Sequence, residues 1–140
     1  MRKVDRAKYV PASGRSRAYE DSPQGIGHNA TISAPHMHAH AAEMLLPYLR
    51  PGNSVLDVGS GSGYLLALFH HLVTDENAGI AHGPDSQDGR TSRVIGIEHI
   101  PELVDFSKEN LRNDGLGDAL ASGKIDAVAG DGRAGSSLLV

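Results

Sequence analysis

Residues 55 to 63 read VLDVGSGSG, and the fold is decided there. Ser54 to Val58 is short, apolar and β-prone; glycines at 59, 61 and 63 then interrupt it, and the nearly all-apolar run Tyr64 to Val73 follows. That order reads as strand, Gly-rich turn and buried helix. Downstream, Arg93 to Glu98 reads as a second strand, a polar cluster with Pro101 opens a helix to about Asn113, and Lys124 to Ala129 reads as a third strand. Upstream, Ser33 precedes Ala34-Pro35, and Met37, Ala41, Met44, Leu45 and Tyr48 recur at helical spacing, which predicts a helix from near Pro35 that Pro47 ends or kinks. Helix, strand, helix, strand, helix, strand implies an α/β domain whose parallel strands are joined by right-handed crossovers.

The 140 residues, 39% of them hydrophobic, are expected to form a single domain. Residues 1–33 read as an N-terminal arm, polar and rich in Gly, Pro and Ser as far as Asn29 and without apolar periodicity. Residues 74–92 carry four Asp or Glu, three Gly and a Pro, the composition of a surface insertion. Net charge is -4, and Arg2, Lys3, Arg6, Lys8, Arg15 and Arg17 are scattered, so no nucleic-acid partner is expected. The chain has no cysteine, which excludes disulfides and thiolate metal sites, and no apolar stretch approaches the roughly 20 residues that span a bilayer. With no charged-then-apolar leader either, a soluble cytoplasmic protein without a membrane partner is the expectation.

The turn at 59 to 63 lies where a parallel strand ends, the place where open α/β sheets bind ligands. Its spacing is G-x-G-x-G rather than the dinucleotide G-x-G-x-x-G, and Asp57 precedes the first glycine by two. Asp57 would repel a pyrophosphate, so a nicotinamide dinucleotide is disfavoured. The same carboxylate can accept a charge-assisted hydrogen bond from the ammonium of S-adenosyl-L-methionine, a ligand without phosphate. Glu98 closes the second strand, where a carboxylate can grip two ribose hydroxyls; it could equally cap the next helix, or do both. Gly130-Asp131-Gly132 closes the third strand, although Gly-Asp-Gly is also an ordinary turn. His36, His38 and His40 cannot all face one ion on a helix, and no His-Glu-x-x-His pattern exists, so no metal is expected. His70, His71 and His99 read as helix-surface or strand-end residues.

Four tracts, ATISAPHMH from Ala30, VLDVGSGSG from Val55, VIGIEHIPELV from Val94 and GDGR from Gly130, resemble the protein-L-isoaspartate (D-aspartate) O-methyltransferases. The resemblance implies a Rossmann-like S-adenosylmethionine-dependent methyltransferase fold, with isoaspartyl-containing peptides and proteins as substrates and protein repair as the role. It implies Ser33 as the catalytic residue, and cofactor contacts from Ala30, Thr31, Ile32, Ser33, His38, Asp57, Gly59, Ser60, Gly61, Glu98, Asp131 and Gly132. An isoaspartyl carboxylate is already anionic at pH 7, so its methylation needs orientation rather than a general base. On the residues alone, Ser33 could instead be the N-cap of the helix that Pro35 opens.

Family members carry a helical segment before the tract seen here as Val4-Asp5-Arg6, and several strands after GDGR. The expectation is therefore an incomplete sheet of about three strands in the order 3-2-1, cut short at both ends. An inactive fragment that at most binds the cofactor or a partner is the alternative function. The family resemblance implies a monomer; an exposed apolar edge at Val55 to Val58 would instead favour self-association.

Overall fold

Three parallel strands, β3 (Ser54–Val58), β4 (Arg93–Glu98) and β5 (Ile125–Ala129), form the sheet in the order β3-β4-β5. The computed structural model describes residues 2–74 and 91–134. In register, Asp57 lies beside Gly96 and Glu98 beside Ala129, so the carboxyl ends of all three strands share one rim. β4 is the central strand and is buried from Val94 to Glu98, as expected of a strand covered on both faces. This is the predicted 3-2-1 arrangement.

Helix α2 (Tyr64–Thr74) leaves the Gly-rich turn and buries Leu66, Ala67, Leu68, Phe69 and Val73. Helix α3 (Pro101–Asn113) has Pro at its start and buries Leu103, Val104 and Leu111, and the short helix α4 (Gly117–Ala121) leads into β5. Five residues are too few to show a helical period, which is why α4 is not legible in the sequence. His70, read as a surface residue, is buried in α2 because its neighbours Phe69 and Val73 turn that side of the helix to the core.

The arm is more structured than its composition suggests. It contains two 3-10 stretches (Arg6–Tyr9 and Ala12–Arg17) and an antiparallel hairpin, β1 (Gln24–Gly27) with β2 (Ala30–Ile32). Val4, Tyr9, Val10 and Ala18 are buried in the same core as α2 and α3. Asp114, at the end of α3, accepts from Lys8 Nζ and Tyr9 Oη, each at 2.8 Å. Local periodicity could not reveal this, because the arm is held by partners more than 100 residues away.

Helix α1 (Pro35–Leu45) starts and stops where the sequence places it, but its facing is reversed. Of the stripe that defined its period, Met37, Met44, Leu45 and Tyr48 are exposed and Ala41 is half-buried, whereas His38, Ala42 and Leu49 are buried. Small Ala42 and flat His38 permit a closer approach to the domain than the methionines would.

Of the expected insertion at 74–92, residues 75–90 lie outside the described residues. Its two ends are tied together: Ser92 Oγ donates to the Val73 carbonyl at 2.9 Å and accepts from the Gly52 N–H at 2.7 Å.

Candidate active site

The turn after β3 is built from backbone that needs glycine. Gly59, Gly61 and Gly63 have φ of 80°, 53° and 83°, a region that side chains disfavour. The Gly59 and Ser60 N–H groups both donate to the Ile97 carbonyl, at 2.8 and 3.3 Å, which fastens the turn to β4. Asn110 of α3 holds its far side, donating from Nδ2 to the Ser62 carbonyl at 3.0 Å. Below the turn lies Gly96, where a Cβ would meet Ser60 Oγ at 2.7 Å and Leu66 Cδ1 at 2.8 Å. Its role was not read from the sequence, although a glycine inside a strand signals close approach.

One cleft opens at this turn. It is lined by Thr31, Ile32 and Ser33, by Asp57, Gly59, Ser60 and Gly61, and by His38 and Tyr64. The hairpin and the start of α1 thus bring Ser33 and His38 to the strand rim. A second cleft adjoins across Gly59 and contains Val58, His99, Asp131 and Gly132. An added Cβ at Gly132 would run into Val58 Cγ1, so that any larger residue there would displace the Val58 side chain. Ala30 lines neither cleft; it is paired with Gly27 in the hairpin.

Ser33 does not cap α1. Ala34 is the N-cap residue and offers no side-chain acceptor, and the His36 N–H donates instead to Asp21 Oδ1 at 3.0 Å. That leaves the Ser33 hydroxyl for other work in the cleft.

Glu98 is buried behind the turn. Its Oε2 accepts from the Gly61 N–H at 3.0 Å, and its Oε1 accepts from the Ile100 N–H at 3.2 Å and pairs with His99 Nδ1 at 2.9 Å. It therefore braces the turn and caps the entry to α3 together. Asp131 accepts from the Arg133 backbone N–H at 3.0 Å and from its guanidinium Nε at 2.9 Å. Burial, and secondarily the nearby Glu98 carboxylate, push the Asp57 carboxyl up to about 6. Ser60 Oγ is buried without a hydrogen-bond partner.

His38 lines the cleft, as the family resemblance implies, but with neighbours that the sequence did not indicate. Its ring stacks at a tilt on Tyr64, centroids 4.7 Å apart, and its Nδ1 lies 3.3 Å from Arg6 Nη1. Burial first, and Arg6 second, hold its pKa down to about 4, so it is a neutral imidazole at pH 7. Neither Arg6 nor Tyr64 was singled out by sequence reasoning; an arginine in an otherwise polar arm gives no sign of burial.

The chain matches the family model for Protein-L-isoaspartate(D-aspartate) O-methyltransferase over residues 1–138. It is similar to the protein-L-isoaspartate O-methyltransferase of Triticum aestivum, 46% identical over 96% of this chain and 51% of the relative. Among solved structures it resembles a protein-L-isoaspartate O-methyltransferase of Plasmodium falciparum in complex with S-adenosyl-L-homocysteine, with TM-score 0.77 and 33% identity over 98% of this chain and 56% of that one. An S-adenosylmethionine-dependent O-methyltransferase of Thermotoga maritima shares the fold at TM-score 0.52 and 22% identity, over 76% of this chain and 32% of that chain. The chain spans about half the length of the curated relatives it matches. Motif order, sheet topology and these matches agree: the chain belongs to the protein-L-isoaspartate (D-aspartate) O-methyltransferase family.

Proposed function

We propose that this chain carries the S-adenosyl-L-methionine site and the catalytic serine of a protein-L-isoaspartate O-methyltransferase, acting on L-isoaspartyl and D-aspartyl carboxylates in damaged proteins. The observation that carries the reading is the cleft that Ser33 and His38 share with Asp57 and the Gly-rich turn. The donor set fits the cofactor. Asp57, held at about 6 by burial beside a second carboxylate, is a place where a cation relieves an existing electrostatic cost. The unpartnered Ser60 hydroxyl is a further polar atom that a ligand can satisfy.

When bound, S-adenosyl-L-methionine supplies an electrophilic methyl group on a sulfonium. Asp57 would hold its ammonium, and the glycines of the turn would let it approach the backbone. Glu98, which lines neither cleft, would serve from beneath by bracing Gly61, while Asp131 and Gly132 would line the adenine end. Ser33 would orient the substrate carboxylate by donating a hydrogen bond. No general base is required, because that carboxylate is ionised at pH 7. Orientation and exclusion of water then set the rate, and proximity alone can contribute roughly 7–11 kcal/mol. A cytoplasmic setting belongs to the same reading, and cell fractionation would test it.

The test is transfer of tritiated methyl to a matched isoaspartyl and aspartyl peptide pair. Label in the isoaspartyl peptide alone supports the proposal. Binding of S-adenosyl-L-homocysteine with no label from folded protein would favour a cofactor-binding form without turnover, and no binding at all would overturn the site assignment.

A further inference from the structure

Arg6 is a charged residue only 4% exposed. Its Nε donates to the Ala18 carbonyl at 2.8 Å, its guanidinium lies 5.8 Å from the centroid of the Tyr64 ring, and its Nη2 is buried with no hydrogen-bond partner. A buried cation with an unpaired nitrogen is costly, so its position calls for a return elsewhere. The contact that supplies one is Arg6 Nη1 to His38 Nδ1 at 3.3 Å.

The direction of that hydrogen bond is fixed by chemistry. A guanidinium has only donors and does not deprotonate, so His38 Nδ1 must be the acceptor, and in a neutral ring the proton then resides on Nε2. We propose that Arg6 is a positioning residue: held by Ala18 and Tyr64, it locks His38 in the Nε2–H tautomer and so presents a fixed N–H donor to the cleft that His38 shares with Ser33. The groups facing His38 are Arg6 from the arm, Tyr64 from α2 and Asp57 in the same cleft. The adjacent cation also opposes a second proton on the ring, so the donor stays neutral while Asp57 titrates. Such a donor suits a carboxylate, either that of the substrate side chain or that of the cofactor's methionine end; it would reject an ammonium. What the donor serves rests on the methyltransferase reading, whereas the lock itself does not.

Long-range proton–nitrogen NMR of the labelled His38 ring, on the full chain from about pH 5 to 8, reads the tautomer directly. The wild type should show the proton on Nε2 and no titration over that range. Arg6→Met should give mixed tautomers and raise the ring pKa by about a unit, bringing titration into view near the acid end, since burial remains but the cation is gone. Arg6→Lys, which keeps a cation and a donor, should largely restore the wild-type ring. A proton on Nδ1 in the wild type overturns the proposal, as does a wild-type ring in folded Arg6→Met. Should Arg6→Met fail to fold, the wild-type spectrum and Arg6→Lys still decide. Methyl transfer measured on the same samples separates the two readings: absence of label in every form counts against the enzyme, while the spectra alone judge Arg6.

Discussion

At the scale of single residues, the cleft is organised by two groups whose proton affinities move in opposite directions. Asp57 has a folded pKa of about 6 against an ordinary 3.8, so the folded chain holds the extra proton between those values and loses stability as pH rises through them. His38 has a folded pKa of about 4 against 6.5, so the unfolded chain binds more protons in that window and stability falls as pH drops through it. The two largely offset in stability but not in binding. A carboxylate held about two units high makes its ionised form less favourable by about 3 kcal/mol, part of which a bound ammonium returns. Affinity for S-adenosyl-L-homocysteine should therefore be level above about pH 6 and fall as pH drops below it, where Asp57 takes up a proton. Calorimetry across that range checks this; Asp57→Asn should bind weakly and with a flattened profile, and an unchanged profile in Asp57→Asn would remove Asp57 from the site. Ser33 makes a separate prediction. Because Asp21 rather than Ser33 accepts from the first turn of α1, Ser33→Ala should leave the melting temperature unchanged while lowering kcat/KM for an isoaspartyl peptide by roughly tenfold or more. A large drop in melting temperature would mean that Ser33 is structural after all.

At the scale of elements, the Gly-rich turn depends on what lies under it. Gly96 leaves room for Ser60 and Leu66 to sit on the sheet, and a methyl group there meets three atoms closer than 3.0 Å. Gly96→Ala should destabilise the domain by about 1–3 kcal/mol, as overpacking does, and weaken cofactor binding by displacing Ser60. Denaturant unfolding together with S-adenosyl-L-homocysteine titration would show both effects, and a variant of wild-type stability would mean that the turn yields freely. The three strands and helices α2 and α3 were legible because each is a contiguous apolar run or amphipathic period closed by Gly or Pro. Asp57 and Asp131 were legible because a strand followed by glycine marks the ligand rim, and Glu98 because it closes its strand just before Pro101 opens a helix. The facing of α1 was not, because periodicity reports that a stripe exists and not which side a neighbour covers. The Arg6–His38 contact, the cap from Asp21 and the clamp of Lys8 and Tyr9 on Asp114 escaped for another reason. Each joins residues distant in sequence, and no local pattern encodes the partner.

At the scale of the whole molecule, among the described residues β3 has β4 on one side and no strand on the other. Its last residue, Val58, is 58% exposed, α1 presents Met44 at 64%, and the turn after α1 presents Tyr48 at 70%. An open strand edge offers unpaired N–H and C=O groups, and an apolar helix face adds the drive to remove them from water. We propose that the chain self-associates through these surfaces, in place of the monomer that its family implies. Light scattering at physiological salt should give a mass above that of one chain, rising with concentration. Met44→Lys combined with Tyr48→Lys should lower that mass without lowering the melting temperature, because both side chains already face solvent. A sharp monomer with cooperative melting in the wild type would defeat the proposal. It would also show that hydration of the β3 edge is tolerated, in which case the cleft at its carboxyl end can be studied in the isolated chain.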